Sequence, residues 1–146
     1  MKLLVSACLL GTCCRYDGGG FDPARLLQLA SRHTLIPVCP EQLGGLPTPR
    51  TPAERREACV VTADGQDVTA AFFSGAEEAL RLAKFFGCTA ALLKERSPSC
   101  GHGMIYDGSF AGKLTPGDGV TAALLEKNGI RVYGESQIDA LLAEGA

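Results

Sequence analysis

The sequence has no basic excess. Its 14 lysines and arginines face 16 aspartates and glutamates, a net charge of −2, so it lacks the electrostatic footprint of a nucleic-acid binder. No apolar run approaches the roughly 20 residues that cross a bilayer. Met1-Lys2 passes at once into Leu3-Leu4-Val5, too short for a signal peptide, and no small-residue cleavage site follows. These absences predict a cytoplasmic protein with neither membrane nor nucleic acid among its partners. No glycine pattern matches a phosphate-binding fingerprint, which excludes a nucleoside-triphosphate or dinucleotide site. There is no Cys-x-x-Cys or Cys-x-x-His pair, no internal repeat and no low-complexity segment.

What is present is cysteine, seven in 146 residues. An odd number in a helix-rich α/β sequence fits a disulfide framework poorly. Metal or thiol chemistry fits better, with some of the seven serving as ordinary core residues. The length suits one domain, 1–146, with a core of its own.

Buried strands are expected at Lys2 to Ala7, Leu35 to Val38, Cys88 to Lys94 and Ile130 to Tyr133. Asp22-Pro23 reads as a helix start. Phe72, Ala76, Ala79, Ala83 and Phe86 form one buried face of a long helix that Gly87 ends. Residues 40–57, with four prolines, are expected as a long ordered loop. Cys59 to Thr62 and Gln66 to Thr69 are expected to pair as a small hairpin around Asp64-Gly65. Thr115-Pro116 is expected to open a further helix, and Ser136 to cap the last. The alternation predicts an α/β fold: a three-layer, Rossmann-like domain with a mostly parallel sheet and a small β-hairpin insertion.

In such folds ligands bind outside the carboxyl ends of the strands. Cys8, Cys39 and Cys100 all follow strand ends, so topology gathers them although their spacing does not. Three soft ligands without an obvious fourth suggest a metal with an open position. Spacing does not separate zinc on three cysteines from a 4Fe–4S cluster with one iron free. Glu41, two residues after Cys39, suits a general base. Ser97 and Ser99 either bond a substrate or shape the turn around Pro98. Arg15 and Asp17 are either a local ion pair or a strap over the site. Cys14, six residues after Cys8, is a rival ligand or a resolving thiol, while Cys13, Cys59 and Cys88 sit in no motif.

The blocks Val5-Ser6-Ala7-Cys8-Leu9-Leu10-Gly11, Arg15-Tyr16-Asp17-Gly18, Val38-Cys39-Pro40-Glu41, Gly44-Gly45-Leu46-Pro47 with Pro49-Arg50, and Leu93-Lys94-Glu95 with Ser97-Pro98-Ser99-Cys100-Gly101 together resemble the bacterial thiouracil desulfurase family across nearly the whole chain. The resemblance implies a 4Fe–4S cluster on Cys8, Cys39 and Cys100. It implies catalysis by Glu41 and a serine, Ser97 before Ser99. From the residues themselves, Ser99, Arg15 and Asp17 are expected near the substrate. The implied reaction is non-redox desulfuration of 2-thiouracil to uracil and hydrogen sulfide, with the thiobase sulfur on the open iron. Three other readings compete: an iron–sulfur electron-transfer or sensor protein, a persulfide sulfurtransferase using Cys14, and a zinc hydrolase.

Overall fold

The computed structural model describes residues 1–144; the last two of the span expected as one domain, 145 and 146, lie outside the described residues. Four strands, β1 (Lys2–Ser6), β2 (Thr34–Val38), β5 (Ala90–Leu93) and β8 (Arg131–Gly134), form a wholly parallel sheet in the order β2-β1-β5-β8. The two central strands are apolar on both faces, which marks a sheet covered on each side. Leu3, Val5 and Leu92 point one way, onto Leu26 and Leu29 of helix α1 (Ala24–Ala30) and Leu141 of α5 (Ile138–Glu144). Leu4, Ala91 and Leu93 point the other way, onto Ala79 and Ala83 of α3 (Thr69–Phe86) and Leu125 of α4 (Val120–Lys127). This is the expected three-layer α/β fold. Among the described residues no helix is long and apolar enough to cross a membrane.

Between β2 and α3 the chain is more ordered than the prolines suggested. Pro40–Leu43 makes a single-turn helix, α2, and Ala53–Arg56 makes β3. β3 pairs antiparallel with β4 (Cys59–Thr62). The hairpin partner of Cys59 to Thr62 is therefore the upstream segment, not Gln66 to Thr69. The Asp64-Gly65 turn does form, but its return leg makes only an isolated bridge, Val61 to Asp67. Ala-Glu-Arg-Arg shows no apolar alternation; β3 is held by backbone pairing and by hydrogen bonds between the side chains of Glu54, Arg55 and Arg56 and the backbone of residues 108–118, and left no period to read.

Thr115-Pro116 does not start a helix. It lies in β7 (Leu114–Pro116), paired with β6 (Met104–Tyr106). Helix α4 begins later because its first N–H groups need acceptors. They find them in the Cys100 loop: Val120 N–H donates to the Pro98 carbonyl at 2.8 Å and Thr121 N–H to that of Ser99 at 2.8 Å. Phe86, expected in the core, is 39% exposed at the end of α3, where Gly87 turns the chain left-handed.

Helix α2 lies backbone to backbone on α3. A Cβ on Gly75 would stand 1.9 Å from the Pro40 carbonyl oxygen, and one on Gly44 2.0 Å from that of Ala71. Pro40 separates Cys39 from Glu41, so this contact fixes both. Gly75→Ala is expected to cost on the order of 1–3 kcal/mol by overpacking. Thermal unfolding checks it, with exposed Ser74→Ala as the unaffected control.

Candidate active site

The registers bring the strand ends level. Ser6 of β1 lies opposite Val38 of β2, and Val5 opposite Leu92 of β5. The Lys94 N–H donates to Ser6 Oγ at 2.9 Å, tying the ends of β1 and β5 together. The strand order reverses between these two strands, the crevice where open α/β sheets place ligands.

A cavity of about 840 Å³ opens there, and Cys8, Cys14, Cys39 and Cys100 all line it. Cys8 lies in a short 3-10 turn, Ala7–Leu10, directly after β1. Cys39 lies at the start of α2, its Sγ 3.7 Å from the Cys14 carbonyl oxygen and 3.9 Å from Glu41 Oε1. Cys100 is held by Ser97, whose Oγ accepts the N–H of Ser99 at 3.1 Å and of Cys100 at 2.9 Å.

Burial, then the charges of Glu41 and Cys39, push the Cys8 thiol from its ordinary 9.0 to about 11. Burial and then the neighbouring Cys39 push Cys14 to about 12. Cys100 is raised too, by burial and the Glu41 charge, against hydrogen bonds from Ser6 and Ser99. Cys8, Cys14 and Cys100 all register Glu41, so the three strand-end loops share one electrostatic site. Without a metal these thiols stay neutral; a bound soft cation draws them into the thiolate form.

Two sulfurs on one zinc ion lie no more than about 4.6 Å apart, given a 2.3 Å Zn–S bond. Among the described residues, the one set of three His, Cys, Asp or Glu ligand atoms mutually within 4.8 Å is His102, Asp118 and Glu126, none of them cysteine. Cys14 and Cys39 are in hydrogen-bond contact through their side chains, but no three of the sulfurs are gathered onto one ion. They suit a cluster that binds each sulfur at a different iron. His102 is turned toward Asp118, 3.1 Å away, and lies outside the cavity lining.

Glu41 is largely buried, its side chain 16% exposed, with Oε2 3.6 Å from Arg50 Nη2. Burial raises its pKa, and Arg50 only partly offsets this. Ser97 lines the cavity. Both lone pairs of its Oγ face backbone N–H donors, so the hydroxyl can act outward only as a donor.

Arg15 lines the cavity too, 4.5 Å over the Phe21 ring and 3.6 Å from Asp17. Asp17 itself, and Ser99, fall outside the lining. Asp17 accepts the Gly19 N–H at 2.9 Å. Ser99 is fully buried, its Oγ 2.8 Å from Thr121 Oγ1 and 3.9 Å from the Cys100 sulfur.

Residue chemistry alone passed over Ser6, Arg50 and Glu135, the ion-pair partner of Lys94; all line the same cavity. Arg50 and Lys94 stood within the blocks that carry the resemblance. Glu135 left no local signal.

The sequence model of a family described as 2-thiouracil desulfurase matches residues 3–137. A protein of Bacillus subtilis (strain 168), named only as the uncharacterized protein YbbK, is 43% identical over 150 residues, covering 96% of this chain and 99% of that protein. A solved structure, the 4Fe–4S-dependent thiouracil desulfidase TudS, superposes with a TM-score of 0.87. It is 49% identical, covering 98% of this chain and 96% of that one.

A thiol raised in the fold stabilises it fully below the unfolded value and loses that contribution as pH rises through the folded value. In the apoprotein the Cys8 contribution is intact below pH 9.0 and lost as pH rises through about 11. Partial exposure limits it to about 2 kcal/mol. Melting curves of wild type and Cys8→Ser from pH 8 to about 11 check this: wild type loses more over that window.

Proposed function

This chain belongs to the 2-thiouracil desulfurase family, and from that membership we propose that it removes sulfur from a thiolated pyrimidine base by hydrolysis. The carrying observation is the meeting of three strand-end cysteines with a buried carboxylate in one cavity. The net reaction exchanges C=S for C=O: one water is consumed and one hydrogen sulfide released, with no net electron transfer. The substrate is a free small molecule such as 2-thiouracil, and the compartment the cytoplasm. The charge balance supports this over a nucleic-acid substrate.

Cys8, Cys39 and Cys100 would hold a 4Fe–4S cluster. When bound, it supplies a Lewis-acidic iron that draws electron density from the thiocarbonyl sulfur and makes its carbon electrophilic. The remaining work falls to the chain. Glu41 takes a proton from the attacking water at Oε1, the oxygen that faces the cysteines. Its raised pKa suits it to hold that proton and give it up to the departing sulfide. Ser97, confined to donating, stabilises negative charge as the C–S bond breaks. Leu46, Pro47, Val68 and Phe72 give the cavity an apolar wall for the ring and limit competing water. Arg15, braced by Asp17, lies on the substrate side. Ser99 supports the Cys100 thiolate from behind.

Anaerobic reconstitution with iron and sulfide tests this. About four irons per chain and cluster-dependent sulfide release from 2-thiouracil are expected. Ser97→Ala should lose about 10²–10³-fold in kcat per cluster bound. Brown protein without turnover would turn the assignment toward electron transfer or sensing. Colourless protein that binds only zinc would end it.

A further inference from the structure

Arg50 stands in a proline-flanked loop, yet only 10% of its side chain reaches solvent. Its guanidinium meets acceptors on three segments. Nη2 donates to the Cys14 carbonyl at 3.1 Å and faces Glu41 Oε2 at 3.6 Å. Nη1 donates to the Pro47 carbonyl at 3.2 Å and to Thr48 Oγ1 at 3.1 Å. The Arg50 N–H donates to the Tyr16 carbonyl at 2.7 Å. Thr48 Oγ1 also accepts from Gln42 Nε2 at 2.8 Å, so the network closes back on α2.

The neutral acceptors alone fix the plane of the fork. A guanidinium held this way presents its charge at one place, and Glu41 Oε2 lies beside it. Oε1 is left toward Cys39. The same group spans from the carboxylate to the loop that carries Cys8 and Cys14.

We infer that Arg50 is a positioning residue: it orients Glu41 so that Oε1 faces the reacting centre, and it tethers the first cysteine loop to the segment bearing Glu41. The inference rests on the reading of Glu41 as the base. A lysine does not replace it. A single ammonium on a flexible stem reaches the carboxylate or the carbonyls, but lacks the planar fork that meets both.

The test uses cluster-loaded enzyme with 2-thiouracil. Arg50→Ala and Arg50→Lys are expected to keep their iron and their KM within about threefold, and to lose about 10–100-fold in kcat, as when outer-shell partners of a reactive group are removed. Guanidinium ion at millimolar concentration should restore part of the kcat of Arg50→Ala and none of that of Glu41→Gln. In the apoprotein, alkylation at Cys14, read by peptide mass spectrometry, should be at least about tenfold faster in Arg50→Ala, because the tether on its loop is gone.

If Glu41→Gln is inactive while Arg50→Ala keeps wild-type kcat, the positioning role is overturned and the base survives. If Glu41→Gln is fully active, the base reading falls and this one with it. A lost kcat that guanidinium does not restore overturns the orienting role in favour of a purely structural one, and an unchanged Cys14 alkylation rate overturns the tether. Should Arg50→Ala fail to fold, Arg50→Lys decides: a fall in kcat at constant KM and iron content supports the role, and unchanged kcat refutes it.

Discussion

The site depends on one constraint, the register of β1 with its two parallel neighbours. Because Ser6 ends level with Val38, and Val5 pairs with Leu92, the chain leaves the sheet three times at nearly the same height. A slip of one residue on β1 would also exchange Leu4 with Leu3 and Val5 between the two cores. Packing therefore enforces the register, and the register places the cysteines. The hydrophobic core and the polar site are consequences of one pairing.

The three loops are then stiffened by different means. The first opens directly with a 3-10 turn, Ala7–Leu10, that holds Cys8. The second is pressed onto α3 so closely that neither Gly44 nor Gly75 has room for a side chain. The third supplies carbonyls to the first N–H groups of α4 and is braced on its inner side by Gly119, where a Cβ would stand 2.4 Å from the Ser99 carbonyl. Each proposed ligand position is thus coupled to a helical turn, which suits the proposed centre, where substrate would meet both a metal and a base.

Much of this was legible in the residues. Central strands such as Leu3-Leu4-Val5 carry so strong an apolar run that the sheet and its edge followed, and with the edge the convergence of Cys8, Cys39 and Cys100. Glu41 followed from its distance along the chain to Cys39. What stayed hidden depended on partners far away in sequence. β3 has no period because it is held by backbone pairing and by polar side chains that reach residues 108–118. Thr115-Pro116 carries a helix-start signature, yet the acceptors that begin α4 come from Pro98 and Ser99. Ser97 and Ser99 look equivalent as letters. One lines the cavity, and the other is sealed against Thr121. Arg50 shows only a charge beside prolines until Cys14 and Glu41 are brought against it.

The burial of the thiols also bears on the protein's chemical lifetime. Thiolates, not thiols, attack peroxides and disulfides. With Cys8 near 11, only about one molecule in ten thousand exposes that sulfur as a nucleophile at pH 7. In a chain newly made, or one that has lost its metal, Cys8, Cys14 and Cys100 are therefore slow to oxidise. Such a chain can wait for a cluster in a form still able to receive one.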